Sequence, residues 1–167
     1  MTGLFTHCCI DTSALIDLYD STMKHKQDEA LWVLFGDHVS LGAVVSHREV
    51  RKEILRGSDG LATWAKPRGS FFVDPTAEQV RELQGLLVLH GRNAVHLDRH
   101  HAHDADPWLV ALGKSDGLVV VTSESRKRAF GIPSLCASVG VRWAGLAELT
   151  QVLRGQQEGW SAVPPGD

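Results

Sequence analysis

Four separated acidic stretches carry the residues best suited to chemistry: Asp11, Glu53, the pair Asp104 and Asp106, and Glu124. Carboxylates gathered from such places form a set of hard oxygen ligands, the donor type that Mg²⁺ and Mn²⁺ prefer. Without a cation they would repel one another and hold on to protons. Some acidic positions also have an ordinary reading. Asp11 is placed to cap a helix, and Glu49 to complete a capping box with Ser46. Glu53, four residues after Glu49 on the same helix face, has no such local role and so carries more functional weight. Behind Glu124, Arg126, Lys127 and Arg128 form a basic cluster that reads either as a solvated surface run or as phosphate contacts. His96, His100, His101 and His103 crowd beside Asp104, but their spacing fits no zinc pattern. They read as a polar loop flanking the site, cationic at low pH.

The elements that must position these groups follow from patterning. Asp106-Pro107 signals a helix start, with Asp106 as N-cap and the helix over Pro107 to Ser115. Asp116-Gly117 makes a turn, and Leu118 to Val121 is a short apolar run of the kind buried in parallel sheets. Glu124 then lies just past the carboxyl end of a strand. Cys8 to Ile10 reads as a first strand, ended by Asp11-Thr12-Ser13 and followed by a helix to Tyr19. Further helices are expected over Lys26 to Phe35 (closed by Gly36), from a Ser46 N-cap through Glu53, over Leu61 to Lys66, and over Thr76 to His90. Val39 to Val45 reads as a strand or extended loop, Phe71 to Val73 as an edge strand, Gly91 to His103 as a loop, and Val141 to Trp143 as a final strand. Leu146 to Leu153 is the last helix, with Gly155 to Asp167 a loose tail. This alternation predicts one α/β domain over residues 1–154 around a parallel sheet.

The bounds agree with that picture. At 167 residues and 43% apolar content, the chain is long enough to bury one core. A formal charge of −3 argues against a strongly basic nucleic-acid binder. Cys8, Cys9 and Cys136 do not look like a disulfide framework, which points to the cytoplasm, and neither a signal peptide nor a membrane-spanning run is visible. Gly113-Lys114-Ser115 lacks the earlier glycine of a P-loop. Ser13 stands where an aspartyl-phosphate phosphatase would need a second Asp.

The segments CIDTSALIDLY, VSHREVRKEI, HDADPWLVALG and VVVTSE, in that order and spacing, resemble a PIN domain, the fold of VapC-type toxin ribonucleases. The Trp32 helix, Leu61 to Ala65, and Ile132 to Cys136 followed by Gly140-Val141 extend the resemblance to an uncharacterised bacterial PIN-like family, over the chain to about Leu153. The resemblance implies a PIN-like three-layer α/β/α sandwich with a mostly parallel central sheet. It also implies a Mg²⁺- or Mn²⁺-dependent endoribonuclease, with Asp11, Glu53, Asp106 and Glu124 as catalytic metal ligands, Asp104 as companion and Glu49 as an alternative helix ligand. Glu124 departs from the Asp common in PIN domains and reaches one methylene further. Thr12, Ser13, Thr122 and Ser123 would orient the carboxylates. An RNA substrate, a toxin role, an antitoxin partner and a homodimer are further implications. Two other readings fit the same residues: a catalytically inactive PIN-like module binding RNA or protein, and a metal-dependent phosphohydrolase acting on DNA or nucleotides.

Overall fold

Two short runs of apolar residues, Cys8–Ile10 and Val119–Val121, pair in parallel and are buried on both faces, the condition that a continuous apolar strand satisfies. They are β1 and β4 in the computed structural model, which describes residues 5–90 and 105–159. β2 (Val44–His47) pairs with β1 on its other side, and β3 (Phe72–Val73) pairs with β2. β5 (Trp143–Ala144) closes the far edge against β4. The order β3-β2-β1-β4-β5, parallel throughout, sends the chain outward in one direction from β1 and then back to the opposite side. The gap between β1 and β4 is therefore a topological switch point, where crossovers diverge and leave a crevice at the strands' carboxyl ends.

Among the described residues the helices are α1 (Thr12–Tyr19), α2 (Glu29–Ser40), α3 (Arg48–Ile54), α4 (Gly60–Ala65), α5 (Ala77–Leu89), α6 (Asp106–Asp116), α7 (Ile132–Val139) and α8 (Leu146–Gly159). A π-helical turn over Asp20–Lys24 prolongs α1, and a 3₁₀ turn over Gly69–Phe71 precedes β3. Helices flank the sheet in a three-layer α/β/α sandwich, in which α5, α6 and α7 pack successively and α2 packs on α8. No helix among the described residues is long and apolar enough to cross a membrane.

One close approach fixes α6 on the sheet. A Cβ at Gly113 would stand 2.7 Å from Val120 Cγ2 and 3.1 Å from Val141 Cγ1, so only glycine lets the helix lie that near β4. Gly117, at φ 66°, then ends the helix in the left-handed conformation that the Asp-Gly turn requires.

Several expected boundaries move. Gly36 does not end α2, which runs to Ser40 and gives way to Gly42 at φ 73°. Ser46 caps no helix. It lies in β2, paired with Phe72, and its hydroxyl donates to Ile10 O at 2.7 Å. The cap of α3 is His47, whose Nδ1 accepts from Glu49 N at 3.1 Å. Asp106 is the first residue of α6 rather than its cap, which is Ala105. The tail begins later than Gly155, because α8 continues to Gly159. The loop at 91–103 with its histidines, Asp104, and the tail from 160 lie outside the described residues.

Candidate functional site at the switch point

Asp11 follows the last residue of β1, and its backbone N–H continues the ladder to Val121 O at 3.0 Å. That position makes it the N-cap of α1. Oδ1 accepts Ala14 N–H at 2.7 Å, the Ser13 hydroxyl approaches both oxygens at 3.0 and 2.8 Å, and the Thr122 hydroxyl donates to Oδ2 at 2.6 Å. The ordinary and the functional reading of Asp11 are thus met by one carboxylate: it caps the helix and sits in the crevice. The residue is 1% exposed. Burial pushes its pKa up to about 6 against these stabilising donors, and the Glu124 charge pushes the same way.

Glu53 reaches the same place from α3. Its Oε2 accepts the Thr12 hydroxyl, and its Oε1 accepts the backbone N–H of Ala105 at 3.1 Å. The residue that begins the α6 turn is therefore tied to the α3 carboxylate, and Asp106, half-buried, is the next residue along. From β4, Thr122 accepts Glu124 N–H at 3.0 Å while donating to Asp11, and Ser123 N–H donates to Ser13 Oγ at 3.2 Å. Two hydrogen-bonded groups therefore adjoin at the Asp11–Thr12 peptide: Ser13, Thr122 and the Ser123 backbone gather around Asp11, and Thr12 and Ala105 N–H hold Glu53.

Other predicted residues stand apart. Glu49 is buried but satisfied by cations, with Lys52 Nζ at 2.8 Å and Arg48 Nε at 3.8 Å. Both oxygens of the Glu124 carboxylate are taken by the turn that follows: Arg128 pairs with Oε1, and Ile132 N–H donates to Oε2 at 2.7 Å. Arg128 is engaged by that pair rather than held ready for phosphate, and Arg126 stacks over the Trp143 ring at 5.0 Å. Lys127 is exposed on the same turn.

The donor chemistry fits a hard divalent cation. Asp11 and Glu53 have no ion-pair partner among the described residues; only hydroxyls and backbone N–H groups approach them. A buried carboxylate beside another acid and without a basic partner is a place where a cation relieves the cost of ionisation. Among the described residues, no three His, Cys, Asp or Glu side chains converge as a closed metal-holding group. Mg²⁺ tolerates an incomplete protein shell, because it keeps several of its own waters.

His47 and Trp108 belong to this region without any sequence motif that marks them. His47, fully buried at the carboxyl end of β2, stacks on Trp108 in the first turn of α6, with ring centroids 5.2 Å apart and planes 16° from parallel. Burial pushes its pKa down to about 4, so the ring is neutral at neutral pH. The stack joins β2 to the turn that carries Asp106. The one available signal was position: His47 follows an apolar strand, and Trp108 is two residues from Asp106.

Among known proteins, the family model described as Domain of unknown function (DUF4411) matches residues 8–157. No curated protein matches the chain.

Proposed function

The chain belongs to the DUF4411 family of unknown function, and we propose that it is a metal-dependent ribonuclease that hydrolyses RNA phosphodiester bonds at the switch-point carboxylates. The observation that carries the proposal is Asp11: a desolvated carboxylate at the end of the central strand, oriented by three neutral donors and paired with no cation among the described residues. Asp11, Glu53 and Asp106 would hold Mg²⁺ or Mn²⁺, with Asp104 as companion. The chemistry such an ion supplies when bound is a water acidified toward neutrality and stabilisation of charge on the phosphate.

The chain's own part is orientation. Ala14 N–H, Ser13 and Thr122 fix the two oxygens of Asp11, so its carboxylate enters the site without a reorganisation cost. Thr12 and Ala105 N–H do the same for Glu53. Below about pH 6 Asp11 holds a proton, which a bound cation would displace. RNA as substrate, and the roles of toxin, homodimer and antitoxin target, rest on the resemblance to VapC-type proteins.

One observation favours a second reading, an inactive binding module: among the described residues no closed ligand group forms. Incubating labelled RNA and single-stranded DNA with Mn²⁺, Mg²⁺ or EDTA, for wild type and Asp106→Asn, separates the two. The expected result is RNA cleavage that needs the ion and is lost in the variant. A folded wild type that neither binds Mn²⁺ nor cleaves RNA would establish the binding module. Cleavage of DNA alone would reassign the substrate.

A further inference from the structure

Glu124 is the predicted ligand whose two carboxylate oxygens are both already engaged by the turn that follows it. Its backbone N–H is wired into the site through Thr122, while its side chain, 8% exposed, is held by the turn that follows. Arg128 occupies one oxygen and the first N–H of α7 the other. The fit leaves no spare room: a Cβ at Gly131 would lie 2.7 Å from Glu124 Oε2 and 3.2 Å from Arg128 Cβ. The turn closes on itself through Arg128 N–H to Ser125 O at 3.1 Å and Gly131 N–H to Arg128 O at 3.3 Å. It also carries Phe130 at φ 62°, a left-handed conformation that a bulky residue adopts only when its surroundings hold it there. A carboxylate at a helix start satisfies an orphan N–H and favours the positive end of the helix dipole.

We propose that Glu124 is a positioning residue, a latch that pins the 125–131 turn and the start of α7 beside the site, and that ion binding falls to the other carboxylates. The second half rests on the ion-site reading above; the first does not. The latch sets where Arg126 and Lys127 stand relative to Asp11. It also explains why glutamate serves at this position, since the shorter aspartate would not span to Ile132 N–H.

Two variants divide the alternatives. Glu124→Gln keeps an acceptor for Ile132 N–H, whereas Glu124→Asp keeps the charge but loses the reach. Amide exchange at Ile132, measured by NMR, should accelerate about tenfold in Glu124→Asp and be largely restored in Glu124→Gln, as expected for loss of one charge-assisted hydrogen bond. The KM for labelled RNA should rise in Glu124→Asp and recover in Glu124→Gln. Mn²⁺ affinity, measured by titration calorimetry, should stay within about twofold of wild type in both, because Arg128 already offsets the Glu124 charge. Asp11→Asn, by contrast, should weaken Mn²⁺ at least about tenfold. Unchanged Ile132 exchange in Glu124→Asp, or loss of Mn²⁺ binding in Glu124→Gln as deep as in Asp11→Asn, overturns the latch. If Asp11→Asn leaves Mn²⁺ binding intact, the ion site is wrong, and exchange at Ile132 still judges the latch.

Discussion

In the absence of a cation, Asp11 should cost the folded protein stability above neutral pH, and removing its charge should return that stability. Its pKa is about 6 in the fold, against 3.8 for an ordinary Asp. A group whose pKa rises on folding favours the fold while protonated and loses that advantage as pH climbs from the unfolded value through the folded one. The difference of about 2 units, at 1.36 kcal/mol per unit, gives about 3 kcal/mol, fully expressed above about pH 7. Asp11→Asn removes the ionisation while keeping an acceptor for Ala14 N–H. The amide's own misfit with Ser13 and Thr122 is the same at every pH, so the quantity to follow is the variant-minus-wild-type stability at pH 8 less that at pH 4. Urea unfolding in EDTA should give about 3 kcal/mol in the variant's favour, and thermal melts at pH 8 a relative shift of about 6–12 °C. Saturating Mn²⁺, at about a hundredfold over the wild-type Kd, should raise wild-type stability by about 2.7 kcal/mol and the variant's by no more than about 1.4 kcal/mol. A variant-minus-wild-type difference that is flat between pH 4 and pH 8 would refute the desolvation argument, and with it the physical case for a cation at Asp11.

The remaining predictions concern the elements around the site. Gly113→Ala should destabilise by about 1–3 kcal/mol, because its methyl meets Val120 and Val141 inside contact distance and α6 must lift; chemical denaturation checks this. His47 runs opposite in sign to Asp11: its pKa falls from 6.5 to about 4 on folding, so stability is lost as pH drops through that window, by up to about 3 kcal/mol. His47→Asn should flatten the acid limb of the urea midpoint between pH 6.5 and 4.5. Trp108→Ala, which removes the partner ring of His47, should reduce RNA cleavage more than Trp108→Phe does, since a second aromatic keeps the stack beneath the Asp106 turn. Thr12→Val deletes the hydroxyl donor to Glu53, and Mn²⁺ should bind about tenfold more weakly by titration calorimetry.

Much of this architecture was legible because local signals and the global fold agree. The runs at Cys8–Ile10 and Val119–Val121 read as doubly buried strands and are so. Asp11 and Asp116-Gly117 punctuate them as turn and cap chemistry demand. Ser46 forms no capping box because β2 pairs with β3 through two residues beyond its apolar run, Ser46 and His47, and Ile10 O takes the hydroxyl instead. Gly36 suggests a stop, but a helix interior tolerates glycine for about 1 kcal/mol. The helix at Ile132–Val139 went unread despite Pro133 in its first turn and Gly140 at φ 71° beyond its end. The two features with no local signature are both tertiary. The His47–Trp108 stack joins different elements, and the direction of the Glu124 side chain depends on an N–H eight residues away. Spacing alone could nominate Glu124 as a carboxylate near the site but not say which way it faces.

The strand order has a consequence for synthesis. The hydrogen bond from Thr122 to Asp11 spans 111 residues, and that from Ala105 to Glu53 spans 52. Each half of the chain contributes carboxylates that are incomplete without the other, and β1 gains its β4 neighbour only after α6 has been made. A ribosome that has translated β1 through α5 holds a chain with Asp11 and Glu53 but without Ala105 N–H or Thr122 to orient them. The centre is therefore assembled late, by closure of a long loop rather than by any local segment. Cutting the chain between the halves should leave two inert fragments that regain a site only on reassociation.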